Sequence, residues 1–278
     1  MAGQSCAECG GTMQLLREEL QRVSEDRSVE GIVPPLGLGG ARAGAGSRTD
    51  GPTPAEGPTP AEGSTSADGP IGDDLVVFFE RQVVEREREL GGDDPDTLRC
   101  RNNLGGACQE AGLLDRAVSL FERNLADTER VMGPEDADSL ACWNNLAGAY
   151  EAAGDPARAL SLYGHVLAGR ERVLGPEDLR TLLCRDNLAR AHELTGDPAR
   201  AVPLHERTLT DRERVLGPGH PDTLLSLCNL ACAHHTAQDR ERSVELFTRA
   251  LVFAERDLGA EHPATGHVEA LLTHVRGD

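Results

Sequence analysis

The sequence predicts an all-α solenoid of antiparallel helix pairs preceded by a disordered N-terminal region. Three observations carry that expectation. Leu98, Leu140, Leu182 and Leu224 are each 42 residues apart, and so are Asn103, Asn145, Asn187 and Asn229. The pairs Leu90-Gly91, Met132-Gly133, Leu174-Gly175, Leu216-Gly217 and Leu258-Gly259 repeat at the same interval. A sequence period between about 20 and 50 residues marks units that each bury a face only by stacking on their neighbours. Finally, Gly31 to Gly72 is rich in Gly, Pro, Ala, Ser and Thr, with Gly-Pro-Thr-Pro-Ala-Glu twice in tandem from Gly51 and Gly57. Such a stretch cannot bury enough apolar surface to offset its ordering entropy.

Taken in order, residues 1 to 30 form a short N-terminal segment. Cys6 and Cys9 in Cys-Ala-Glu-Cys are half of a zinc-ligand set, low-probability metal candidates that need a second pair from another chain. Met13, Leu16, Leu20 and Val23 are spaced for an amphipathic helix over 12 to 24, too short to persist unless it docks on something. Residues 31 to 72 are the linker. Its cluster Gly37, Gly39 and Gly40 lacks both the spacing and the preceding strand of a dinucleotide loop.

Residues 73 to 278 are the solenoid. Asp73 to Leu90 reads as a second helix without its first, a half repeat whose apolar start at Leu75 to Phe79 calls for a cover: the N-terminal helix folded back, or another chain. Four full units follow, with first helices near 97 to 111, 139 to 153, 181 to 195 and 223 to 237. Second helices are expected near 114 to 131, 156 to 173, 198 to 215 and 240 to 257. In the best-formed unit, Leu140, Trp143, Leu146, Ala147 and Tyr150 share one helical face; Leu160, Tyr163, Val166 and Leu167 share another. Gly154 suits a helix end with positive φ, Asp155 a cap and Pro156 the first helical position. In the last unit Gln238 stands where the glycine belongs, so that turn is expected to be the least regular. Pro263 to Val275 supplies a final capping helix.

The run Ser139-Leu140 through Asn144-Asn145-Leu146-Ala147 to Tyr150, together with Gly154, Ala159 and the Gly-Pro-Glu-Asp or Gly-His-Pro-Asp-Thr linkers, resembles the tetratricopeptide repeat. It is the 42-residue kind found in kinesin light chains and in many bacterial repeat proteins. The resemblance covers residues 73 to 278 and implies a right-handed superhelix whose first helices line a concave, peptide-binding groove. Carried onto matching positions, the groove residues are Arg99, Asn102, Asn103, Asn144, Asn145, Glu151, Asp186, Asn187, Arg190, Glu193 and Asn229, with Gln109, Glu110, Cys228, Cys232 and His235 beside them. A side-chain amide both donates and accepts, so each Asn suits a peptide backbone; each equally suits a bond to the adjacent helix that fixes repeat geometry.

Composition excludes more than it selects. The formal charge of −19 disfavours nucleic acid and anionic membranes. No apolar run approaches a membrane span. All 28 basic residues are arginine, so no lysine is present to bind phosphate or form a Schiff base. No cofactor and no catalytic activity are expected. With only Arg99 and Arg190 against Glu110, Glu151, Asp186 and Glu193, the groove favours a neutral or basic peptide over an acidic one. Met1 to Gly11 has neither the basic nor the apolar part of a secretory signal, and Cys100, Cys142 and Cys184 recur at one repeat position as packing residues. A cytoplasmic location is expected. The function expected is a protein- or peptide-binding scaffold; the alternative is a sensor whose solenoid binds a small molecule or signalling peptide and controls a partner enzyme. Self-association through the N-terminal half repeat is the accompanying expectation.

Overall fold

The computed structural model describes residues 7–28 and 71–277; Cys6 and residues 31–70 of the proposed linker lie outside them, while its last two residues, Ile71 and Gly72, open a helix. Among the described residues there are eleven helices and no strand. They are α1 (Ala7–Ser28), α2 (Ile71–Leu90), α3 (Pro95–Glu110), α4 (Leu114–Met132), α5 (Ala137–Ala152), α6 (Pro156–Val173), α7 (Leu179–Leu194), α8 (Pro198–Val215), α9 (Pro221–Thr236), α10 (Arg240–Asp257) and α11 (Pro263–Gly277). From α2 onward each helix packs on the next along the chain, the pattern of a right-handed superhelical solenoid. First helices α3, α5, α7, α9 and α11 form one face, here the first-helix face. None of the described helices is long and apolar enough to cross a membrane.

Local chemistry sets the boundaries. The first helices begin two residues before the positions the apolar spacing suggests, because Asp94, Asp136 and Asp178 accept bonds from the amides of Asp96, Asp138 and Arg180. His220 does the same for Asp222 through Nδ1, at 3.1 Å. Asp155 and Asp197 cap α6 and α8 ahead of Pro156 and Pro198. Between the paired helices Gly112, Gly154 and Gly196 sit at φ of 74°, 83° and 80°. Gln238 adopts the same left-handed conformation at φ 67°. The expected irregular turn is therefore absent: the turn is kept, with a side chain held where glycine is preferred. Ser243 replaces the small alanine of the other units and remains buried because its hydroxyl donates to the carbonyl of Ala231 at 2.8 Å.

Packing follows the period. Phe121, Tyr163 and Phe247 occupy one position of the 42-residue period, one, two and four units along, and are fully buried on the second helices. Polar staples recur too. Arg101 reaches Glu87 at 2.7 Å, Trp143 Nε1 donates to Glu129 at 2.7 Å and the fully buried Arg185 lies 3.3 Å from Glu171, all at equivalent sites. Burial pushes the free thiols of Cys142 to about 11 and of Cys184 to about 12, so both act as packing groups.

The N-terminal helix does not cover the half repeat. It packs on α9 and α11, at the opposite end of the solenoid. On α2, Val76 and Val83 are buried, while Val77, Phe78 and Val84 stay exposed. The reason lies in the surfaces available: α11 presents Val268, Leu271, Leu272 and Val275 along one apolar stripe, and both α10 and α1 pack on it.

Candidate functional site: the first-helix face

The first-helix face divides into three parts. Toward the N-terminal end the amides of successive repeats join. Asn145 Nδ2 donates to Asn102 Oδ1 at 3.2 Å, and Asn187 Nδ2 donates to Asn144 Oδ1 at 3.4 Å. All four are half-buried, as are Asn103 and Asn229. Asn145 and Asn187 thus bond the preceding repeat, one of the two uses their chemistry allows. An amide has two donor hydrogens and two acceptor lone pairs, so each retains capacity toward a ligand. Arg99 is exposed at the edge and is held by Asp96 at 2.6 Å and Asp138 at 3.0 Å.

The middle is a buried ion cluster spanning α5, α7 and α8. Glu151 pairs with Arg190, its side chain 10% exposed and its second oxygen buried without a hydrogen-bond partner. Asp186 receives a bond from Arg212 at 2.6 Å and lies 3.1 Å from His205 Nδ1. The other imidazole nitrogen stands 3.3 Å from Glu193 Oε1, within ion-pair reach although too poorly aligned to count as a hydrogen bond. Burial alone would depress the His205 imidazole, but the bond to Asp186 and the nearby carboxylates of Asp186 and Glu193 outweigh it and lift its pKa to about 9. Histidine is therefore a buried cation at neutral pH. The two neighbouring carboxyls diverge. Burial raises Glu151 and Arg190 and Arg17 only partly oppose it, whereas at Asp186 burial is overcome by Arg212, His205 and Arg17, and the carboxyl falls below its usual range.

The sequence names Glu151, Asp186, Arg190 and Glu193 but not their internal partners. His205 and Arg212 are second-helix residues, and a reading confined to first helices passes them by. A signal existed. Aligned at 42, the second helices read Phe121, Tyr163, His205 and Phe247, so a histidine occupies an aromatic core position and needs a polar partner there.

The C-terminal part of the face is occupied by α1. Leu16 and Leu20 are 0% and 2% exposed and join one core with Leu224, Leu227 and Leu230 of α9 and with Leu271 and Val275 of α11. Met13 packs against the same core. Arg17 sits in the electrostatic field of Glu151, Asp186, Arg190 and Arg212, at the margin of the ion cluster. Cys228 is fully buried, while His235 stacks edge-on against His274 with ring centres 6.0 Å apart. Among the described residues no group of three or more His, Cys, Asp or Glu is placed to hold a metal. Of the proposed Cys6 and Cys9 pair, Cys6 lies outside the described residues.

A solenoid of helix pairs recurring every 42 residues defines a helical-repeat protein. The sequence profile of the tetratricopeptide repeat matches residues 101–172, 138–214 and 201–256. The chain belongs to the tetratricopeptide repeat family. A crystal structure of nearly identical tetratricopeptide-like repeats of a kinesin light chain from Podosopora anserina is 28% identical, with 66% of this chain and 88% of that one covered and a TM-score of 0.59. BtubC (BKLC) from P. vanneervenii superposes with a TM-score of 0.60 at 19% identity, over 75% of this chain and 91% of that one. Bacillus thuringiensis PlcR, crystallised with the peptide PapR7 and DNA, gives 0.52 at 13% identity over 72% of each chain. No curated protein matches the chain.

Proposed function

We propose that the chain is a non-catalytic scaffold that binds a protein or peptide partner along its first-helix face. The reading rests on the half-buried amides at Asn102, Asn103, Asn144, Asn145, Asn187 and Asn229, one or two per repeat along the first helices. Amides satisfy a backbone without selecting its side chains, which is the chemistry a general peptide groove needs. Its partner is neutral or basic, since carboxylates Glu110, Glu151 and Glu193 line the face and Arg190 is already engaged by Glu151. The buried free thiols fit a reducing, cytoplasmic setting.

Glu151 and Glu193 are poor sites for testing charge, because Arg190 and His205 depend on them and reversal breaks internal pairs. The amides are better. A peptide-display library is selected on the full chain, and the selected peptides are titrated against the Asn145→Ala, Asn187→Ala double variant. Loss of one to three kcal/mol, about 5-fold to 150-fold in affinity, is expected for hydrogen bonds made only in the complex. Selected peptides that are acidic, or that bind the double variant as tightly as the wild type, refute the reading.

A further inference from the structure

A helix of the chain already shows what part of this face accepts. On one side of α1, Leu16 and Leu20 stand one turn apart and are almost fully buried, with Met13 a further turn back. Arg17, beside Leu16, lies in the mixed field of Arg190, Asp186, Glu151 and Arg212. The opposite side carries Gln14, Glu18 and Gln21, all exposed, and Leu15 is 53% exposed. The recognised pattern is thus Met-x-x-Leu-x-x-x-Leu on a helix, read by an apolar floor from α9 and α11.

That contact is separable from the solenoid. α9, α10 and α11 pack on one another as the other helix pairs do, and α1 lies on top of α9 and α11 as an added layer. It is joined to α2, at the far end of the solenoid, by residues 29–70, a stretch whose reach when extended is on the order of 140 Å. A helix attached in this manner competes through its effective concentration and leaves without breaking any helix pair.

We propose that the face formed by α9 and α11 is a receptor for an amphipathic helix presenting Leu-x-x-x-Leu, that α1 is its resident occupant, and that a partner protein carrying such a helix binds by displacing α1. This deepens the scaffold reading, on which it rests, by naming the partner's chemistry and the internal competitor. Recognition is of the helix-in-groove kind, with apolar anchors one turn apart.

The probe is a fluorescent synthetic peptide of residues 7–28, titrated by anisotropy against the full chain and against the full chain carrying Leu16→Asp and Leu20→Asp. Expected is at least about tenfold tighter binding to the variant, whose own α1 no longer occupies the face, since tethered competitors act at effective concentrations on the order of millimolar. The same peptide with Leu16→Asp is expected to lose at least fivefold against the variant. Equal binding to both proteins, or none to a variant that keeps its helical circular dichroism and cooperative melt, overturns the proposal. Should the variant fail to fold, a specific protease site placed near residue 50 of the otherwise unchanged chain serves instead. After cutting, the N-terminal fragment should exchange for the labelled peptide; a cut fragment that never exchanges makes α1 a permanent layer and overturns the proposal. Library peptides that depend on Asn145 and Asn187 bind whether or not the α1 probe does, so the two readings fail separately.

Discussion

His205 offers the sharpest test of the ion cluster. Its imidazole is 1% exposed, between Asp186 and Glu193, and its pKa rises from about 6.5 to about 9. A group whose folded pKa exceeds its unfolded one stabilises fully below the unfolded value and loses that contribution as pH climbs through the folded value. The window is therefore pH 6.5 to about 9, and the contribution at stake is about 3 kcal/mol at 1.36 kcal/mol per tenfold change in proton affinity. For a chain of this size that corresponds to a fall in Tm of roughly 6–12 °C. The reference is His205→Phe, which installs the residue found at the equivalent Phe121 and Phe247 and leaves Asp186 held by Arg212. Melts followed by circular dichroism every half pH step from 6.5 to 9.5 supply the comparison. The buried thiols of Cys142, Cys184 and Cys228 also cost stability above about pH 8.5, but they do so in both proteins. The wild type should lose stability more steeply than the variant. Parallel curves would mean that His205 is neutral in the folded chain and that the cluster is held together by Arg212 and Arg190 alone.

Two further predictions concern the backbone. Gln238→Gly removes a side chain from a φ of 67° and should raise stability by about 0.5–1 kcal/mol in urea unfolding, the left-handed cost less the extra freedom of the unfolded chain; a lower midpoint would show that the Gln238 side chain contributes more than its conformation costs. Glycines inside helices separate by surroundings: a Cβ on Gly105 would lie 2.6 Å from the buried Phe121 ring, whereas one on Gly164 meets nothing within 4 Å. Gly105→Ala should therefore destabilise by about 1–2 kcal/mol and Gly164→Ala stabilise by about 1 kcal/mol, and equal shifts of either sign would refute the distinction.

Most of the solenoid was legible because its determinants are local. Leu-Gly pairs, Asp-Pro starts and glycine turns act within a few residues, so second helices such as Pro156–Val173 and Arg240–Asp257 follow directly from the sequence. First-helix starts shifted by two residues because a cap, not the first apolar residue, sets where a helix begins. The fate of Asp186 was not legible from its own helix. Spacing places it beside Asn187 on one face, but its partners His205 and Arg212 lie 19 and 26 residues away on α8, and which of two facing helices a carboxylate satisfies depends on rotamer and depth. The docking of α1 was illegible for a different reason. Amphipathic spacing says that Leu16 and Leu20 need a cover without saying which end of the solenoid supplies it.

The ion cluster also explains what Arg17 contributes. Counted without α1, it holds three carboxylates, Glu151, Asp186 and Glu193, against three cations, Arg190, Arg212 and protonated His205. The cluster is balanced by itself. Departure of α1 strands no net charge there, and the main cost of release is the re-exposure of Leu16 and Leu20. Arginine at the position of Arg17 therefore adds little to affinity by neutralisation, because Arg190 and Arg212 oppose the pull of Asp186 and Glu151 on it. The leucines supply the hold, so a helix competing for this face is selected by apolar residues one turn apart more than by its charge.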